Sequence, residues 1–191
     1  MDEEVATGMA QWHNKFTNNF LEFTQNIKYK LTSVKNVAPS RMSGGTLGEF
    51  RYYVSGTVED IRLNSGLYSS YTNAAKKSEH SASVGWHSGG NALHTWIHEY
   101  GHYVSHSLAT MGVSEHSMIS STISEYKKNH SDYTYSTYVG LKDALSKYGT
   151  TSESECFAEA FAEYFGEENP REFATIFGHI VENAMKGVTT S

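Results

Sequence analysis

Apolar positions recur at two different periods along this chain, and the change of period divides it. Over about residues 5–30, Met9, Trp12, Phe16, Phe20, Phe23 and Ile27 follow in steps of three and four, which sets them on one face of a helix. His13 lies off that stripe and reads as a surface residue. Alternation then takes over. Residues 31–37, 48–54 (with Phe50, Tyr52 and Val54 to one side) and 58–63 read as three short strands, separated by Ala38-Pro39-Ser40, Ser43-Gly44-Gly45 and Ser55-Gly56. Consecutive strands with short connections predict an antiparallel meander. Residues 65–77 read as a turn and a short helix or lid, and 81–86 as one more strand. Helical spacing returns with Leu93, Trp96, Ile97, Tyr100 and Val104. It continues over 114–128, over a short stretch at 141–147, through Ala158, Phe161, Ala162 and Phe165, and over 170–186. The pattern predicts an α+β chain with an N-terminal helix, a small, mostly antiparallel sheet and a mainly helical C-terminal half. At 191 residues it suits a single domain, with an α/β lobe over about 1–110 and a helical lobe over about 111–191.

The stretch after Gly89-Gly90, for which Asn91 is a plausible cap, carries the chemistry. Its core is His98-Glu99-Tyr100-Gly101-His102, two imidazoles one helical turn apart with a carboxylate beside the first. Both rings can then reach one tetrahedral metal ion, with the carboxylate near the metal's water. Composition alone yields such a match about once in twenty chains of this make-up, so the surroundings have to support it. The apolar residues around the motif provide the half-buried helix such a site needs. Gly101 costs about 1 kcal/mol in a helix interior relative to Ala, which points to tight packing between the two His. His94, His98, His102 and His106 follow one another at spacing four, but only His98 is followed directly by Glu. A helix with an incidental row of exposed His is the competing interpretation.

A catalytic metal centre needs a third protein ligand. In Ser152-Glu-Ser-Glu155-Cys-Phe-Ala-Glu159-Ala-Phe161, Glu155 and Glu159 stand one turn apart beside an apolar stripe, where a metal and its imidazole ligand would offset the cost of acidic groups. Ser152-x-x-Glu155 is equally a capping box, and the pattern alone leaves ligand and cap equally open.

These motifs, in the order His-Glu-Tyr-Gly-His, Tyr148-Gly149, Glu155-Cys-Phe-Ala-Glu159, resemble the gluzincin metallopeptidases of the family of the anthrax lethal factor catalytic domain and the pro-pro endopeptidases. The resemblance covers about residues 91–166. It implies a zincin-like fold and one zinc ion held by His98, His102 and Glu155. It further implies Glu99 as general base, Tyr148 as a residue pointing into the site, and Glu159 as an acid hydrogen-bonded to a ligand His. Zincins commonly hold substrate as an extra strand on an exposed sheet edge. The charged strand 59–64 fits that role and makes Ile61, Arg62 and Leu63 candidate substrate-binding residues. It equally fits an edge guarded against aggregation.

Bulk properties narrow the rest. A formal charge of −6, with no basic cluster longer than Lys76-Lys77 or Lys127-Lys128, argues against a nucleic-acid surface. No apolar run reaches membrane-spanning length, and the acidic start lacks a leader's apolar stretch. The expected compartment is therefore the cytoplasm or a virion, unless the chain is trimmed from a secreted protein. Cys156 reads as a small core side chain, and His80, His87, His106, His116 and His179 stay outside the predicted site. The expected function is zinc-dependent endoproteolysis of a peptide or protein substrate. The alternatives are a zincin-fold binding or structural module, such as a phage-capsid-associated domain, and a metal-free helical interaction domain.

Overall fold

The computed structural model describes residues 1–188. Its N-terminal helix α1 (Glu3–Asn19) is capped by the Asp2 carboxylate, which accepts from the Glu4 and Val5 amides. The single helix expected over 5–30 is two: Phe20 leaves helical dihedrals (φ −124°, ψ 44°) and α2 (Leu21–Asn26) follows. Phe16, Phe20, Phe23 and Ile27 are nonetheless all buried.

The three strands β1 (Val34–Val37), β2 (Gly48–Tyr52) and β3 (Val58–Asn64) form a mixed sheet in the order β1-β3-β2. β2 and β3 are an antiparallel hairpin with Phe50 opposite Ile61, while β1 runs parallel to β3 with Val34 opposite Ile61. The meander is thus corrected, and with it the edge assigned to 59–64. β3 is central, its main chain is paired on both sides, and Ile61 and Leu63 are fully buried. Charge gives a physical reason for this order. Asp60 of β3 is completely buried, and beside β1 it meets Lys35 as well as Arg62 Nε, which lies 3.2 Å away. With β1 next to β2 instead, that carboxylate would lose one of its two cations. The open edge beside the helices belongs to β2.

Helix α3 (Tyr71–Ser83), capped by Ser70, takes up residues 81–83, so the strand expected at 81–86 does not form. The short helix expected at 141–147 is a turn followed by a 3₁₀ turn at Tyr148–Thr150. The reason is competition for donors: the Lys147 and Tyr148 amides bond to the Gly85 and Trp86 carbonyls (2.9 and 3.0 Å), so they cannot bond within a helix.

Helices α4 (His94–Thr110), α5 (Glu115–Tyr126), α6 (Glu153–Gly166) and α7 (Glu172–Gly187) complete the fold. α4 and α6 pack at the centre. A Cβ on Gly101 would lie 3.1 Å from Phe161 Cβ and 3.2 Å from the Ala158 backbone, so glycine there lets the two helices approach closely. Trp12, Phe16, Tyr100 and Phe161 fill the space beneath α1, and Trp12 Nε1 donates to the Phe165 carbonyl at 2.9 Å. Phe157 on Phe177 joins α6 to α7. Among the described residues no helix is long and apolar enough to cross a membrane.

Candidate metal centre

The spacing of four places His98 and His102 on the face of α4 that looks at the start of α6. There Ser152 Oγ accepts from the Glu155 amide at 3.1 Å, as an N-cap does. The Glu155 carboxylate does not return that bond. Its Oε2 lies 2.9 Å from His98 Nε2 and 3.5 Å from His102 Nε2, so of the two readings the sequence left open the side chain does not close a capping box: only the amide serves the cap, and the carboxylate faces the imidazoles.

Do these three atoms fit a cation? Donors on a tetrahedral ion with bonds of about 2.0–2.1 Å sit roughly 3.3 Å apart, between the two separations seen here. Glu155 Oε2 is buried and has no partner in hydrogen-bonding geometry despite its closeness to His98 Nε2. Three lone-pair donors thus converge without satisfying one another. The group can hold a metal ion. Electrostatics agree: burial opposes charge on His98, but the carboxylates of Glu155 and Glu159 outweigh it and push its pKa up to about 10. Burial likewise opposes ionisation of Glu155, yet His102 and His98 hold it well below the usual carboxylate range. Donors that attract one proton so strongly offer the same lone pairs to a metal cation, which must displace it.

Beside the ligand group stands Glu99, 6% exposed, whose pKa is raised by burial against the pull of His98 and His102. The sheet comes against it closely. A Cβ on Gly48 would be 2.7 Å from Glu99 Cγ and 2.8 Å from both Glu99 Oε1 and Thr95 Cγ2, so only glycine allows β2 this near. Tyr148 stacks on the His98 ring (centroids 5.6 Å apart, 23° between planes) and is covered in turn by Trp86 (5.5 Å, 28°). Burial and the nearby Glu155 and Glu99 raise its pKa, so the phenol keeps its proton and can donate.

Two hollows meet at this centre, sharing Gly48, His98, Glu99 and Tyr148. The larger, about 630 Å³, runs between β2 and α4 past Phe50, Tyr52, Ser105 and His106 to Ala109 and Glu115. The smaller, about 270 Å³, runs the other way between residues 44–47 and Trp86-His87. Together they make a cleft along β2. Ile61, Arg62 and Leu63 line neither hollow, because their strand lies one place further into the sheet.

Glu159 was expected beside a ligand His, but several other neighbours of the centre were not expected from the sequence. Glu159 Oε1 lies 2.9 Å from His98 Nδ1, but also 3.1 Å from His94 Nε2 and 3.0 Å from His87 Nδ1. Instead of standing in solvent, His87 is mostly buried against that carboxylate. The second spacing-of-four step, His94 to His98, was the available signal. Ser154 Oγ meets His102 Nδ1 at 3.1 Å, close enough to fix that ring as well. His13 is half-buried against Tyr100, and burial lowers its pKa. His106 bonds to the Gly56 carbonyl and His116 to Glu153, both apart from the ligand group.

Compared with protein-family models, curated proteins and solved structures, the chain matches none.

Proposed function

We propose that this chain is a zinc-dependent endopeptidase of zincin-like fold. The observation that supports it best is the convergence of His98 Nε2, His102 Nε2 and Glu155 Oε2 beside a buried Glu99, in a cleft flanked by the outer strand of the sheet. Two imidazoles and one carboxylate suit zinc and leave a coordination position free. When bound, zinc supplies Lewis acidity, acidifying a water and polarising a carbonyl.

The residues of the chain do the rest. Glu99, its basicity raised by burial, takes the proton of the attacking water and passes it to the leaving amine nitrogen. Tyr148 donates a hydrogen bond to the oxygen that gains charge at the scissile carbonyl. The outer edge of β2, once its Phe50 amide leaves the Glu99 carboxylate, pairs with the main chain of an extended peptide, which favours sequence-tolerant binding over both hollows. Among the described residues no Lys or Arg lines the larger hollow, whereas Glu115 and Glu49 do, the latter 3.6 Å from Arg62 Nη1, so at the Glu115 end a basic side chain is favoured over an acidic one.

Metal analysis of protein purified without a His tag, paired with cleavage profiling on a peptide library, tests this. The parent is expected to carry one equivalent of zinc and to cleave peptides. Glu99→Gln is expected to keep the zinc and lose about 10²- to 10⁴-fold in rate. Cleavage by Glu99→Gln at the parent's rate removes the general base from the mechanism. Zinc without any cleavage assigns the fold to a binding or structural module, and absence of bound metal leaves a helical interaction domain.

A further inference from the structure

Glu159 is completely buried, yet it is the most heavily bonded carboxylate near the metal centre. The Ser88 amide donates to its Oε2 at 2.6 Å, and Ser88 Oγ donates to the main-chain carbonyl of Glu159 at 2.7 Å. The other oxygen faces three ring nitrogens: His98 Nδ1 at 2.9 Å, His87 Nδ1 at 3.0 Å and His94 Nε2 at 3.1 Å. A carboxylate taken out of water is costly unless its lone pairs are satisfied, and here four nitrogens, the Ser88 amide and three imidazole ring atoms able to donate, surround it. His98 is the link to the cation site. Its Nε2 belongs to the candidate ligand group, so with an ion held there its Nδ1 would carry the hydrogen toward Glu159, and that bond would fix both tautomer and ring angle.

His87 and His94 contact no ligand of the candidate ion directly through a polar atom. They meet the same Glu159 oxygen that His98 uses, from the loop before α4 and from the first residue of α4. We propose that His87 and His94 are positioning residues of the metal centre, which clamp Glu159 so that it in turn orients His98. The inference rests on the metal-centre reading and extends it by one shell.

The same three groups, His87, His94 and Glu159, also lie close enough together to hold an ion of their own. Two considerations favour the clamp. The Glu159 oxygen already accepts from His98, and a second dication so near the first would be repelled in an interior that screens charge weakly.

The test measures zinc affinity by chelator competition and the visible spectrum of the cobalt-substituted protein. Variants are His94→Leu, His94→Gln, whose amide N–H can replace the Nε2 donor, and His87→Leu at the less buried position. The leucine variants are expected to bind zinc about 10- to 100-fold more weakly and to shift the cobalt bands, with His94→Gln restoring both. Parent-like affinity and spectrum in a folded His87→Leu or His94→Leu overturn the clamp. Two equivalents of zinc in the parent, falling to one in these variants, overturn it in favour of a second metal site. No metal in the parent overturns the metal centre itself, and the clamp with it.

Discussion

The two walls of the cleft are built by different means. On the helical wall, His98, Glu99 and His102 from α4 and Glu155 from α6 are side chains, spaced by the helix repeat and fixed where Gly101 lets the helices meet. On the sheet wall the contribution is main chain: the open edge of β2, held against Glu99 by the missing side chain of Gly48. On the proposed function, one wall would set chemistry through residue identity and the other access through closeness of backbone. Substitutions should therefore separate into those that remove the ion or the rate and those that alter fit or stability.

The largest effect is expected for Glu155→Ala on the helical wall. Metal content should fall from one equivalent to a trace and cleavage to background, as measured by elemental analysis and peptide turnover. Stoichiometric zinc in that variant would take the third ligand away from α6. Tyr148→Phe comes next: a loss of about 10²- to 10³-fold in kcat with zinc retained, because the substitution removes only the proposed oxyanion donor. An unchanged kcat would reduce Tyr148 to a ring packed between Trp86 and His98.

Across the cleft, Gly48→Ala should cost about 1–3 kcal/mol through overpacking against Glu99 and Thr95, seen as a lower midpoint of thermal unfolding, with reduced turnover and normal zinc. Parent-like stability would mean that β2 is free to move away from α4. The smallest effect is expected for Ile61→Val, about 0.5–1.5 kcal/mol of stability from the buried central strand with KM unchanged. A shift in KM without loss of stability would return β3 to substrate binding.

How much of this was legible beforehand follows the same division. The stripe around His98 and His102 and the position of Glu155 one turn before Glu159 are local repeats, and a helix turns such a repeat directly into a face. The cap at Ser152 is just as local. Where a donor finds its partner far along the chain, the local pattern misled. Residues 141–147 have helical spacing, but Lys147 and Tyr148 give their amides to Gly85 and Trp86. His87 sits in a polar, glycine-rich loop, and nothing nearby in sequence announces Glu159 as its partner.

By itself, the sequence determined which residues could share a helical face, because 3.6 residues per turn is a property of the backbone and needs no partner. Through alternation it marked the three strands that form, and also a fourth at 81–86 that does not, because helix α3 takes residues 81–83. Tertiary structure alone decided their order, with β3 in the middle and β2 at the open edge, since pairing depends on which strands meet and on where Asp60 finds its cations. Packing also gathered His87, His94 and Glu159 into one buried group, because a carboxylate removed from water must draw its donors from wherever the fold brings them.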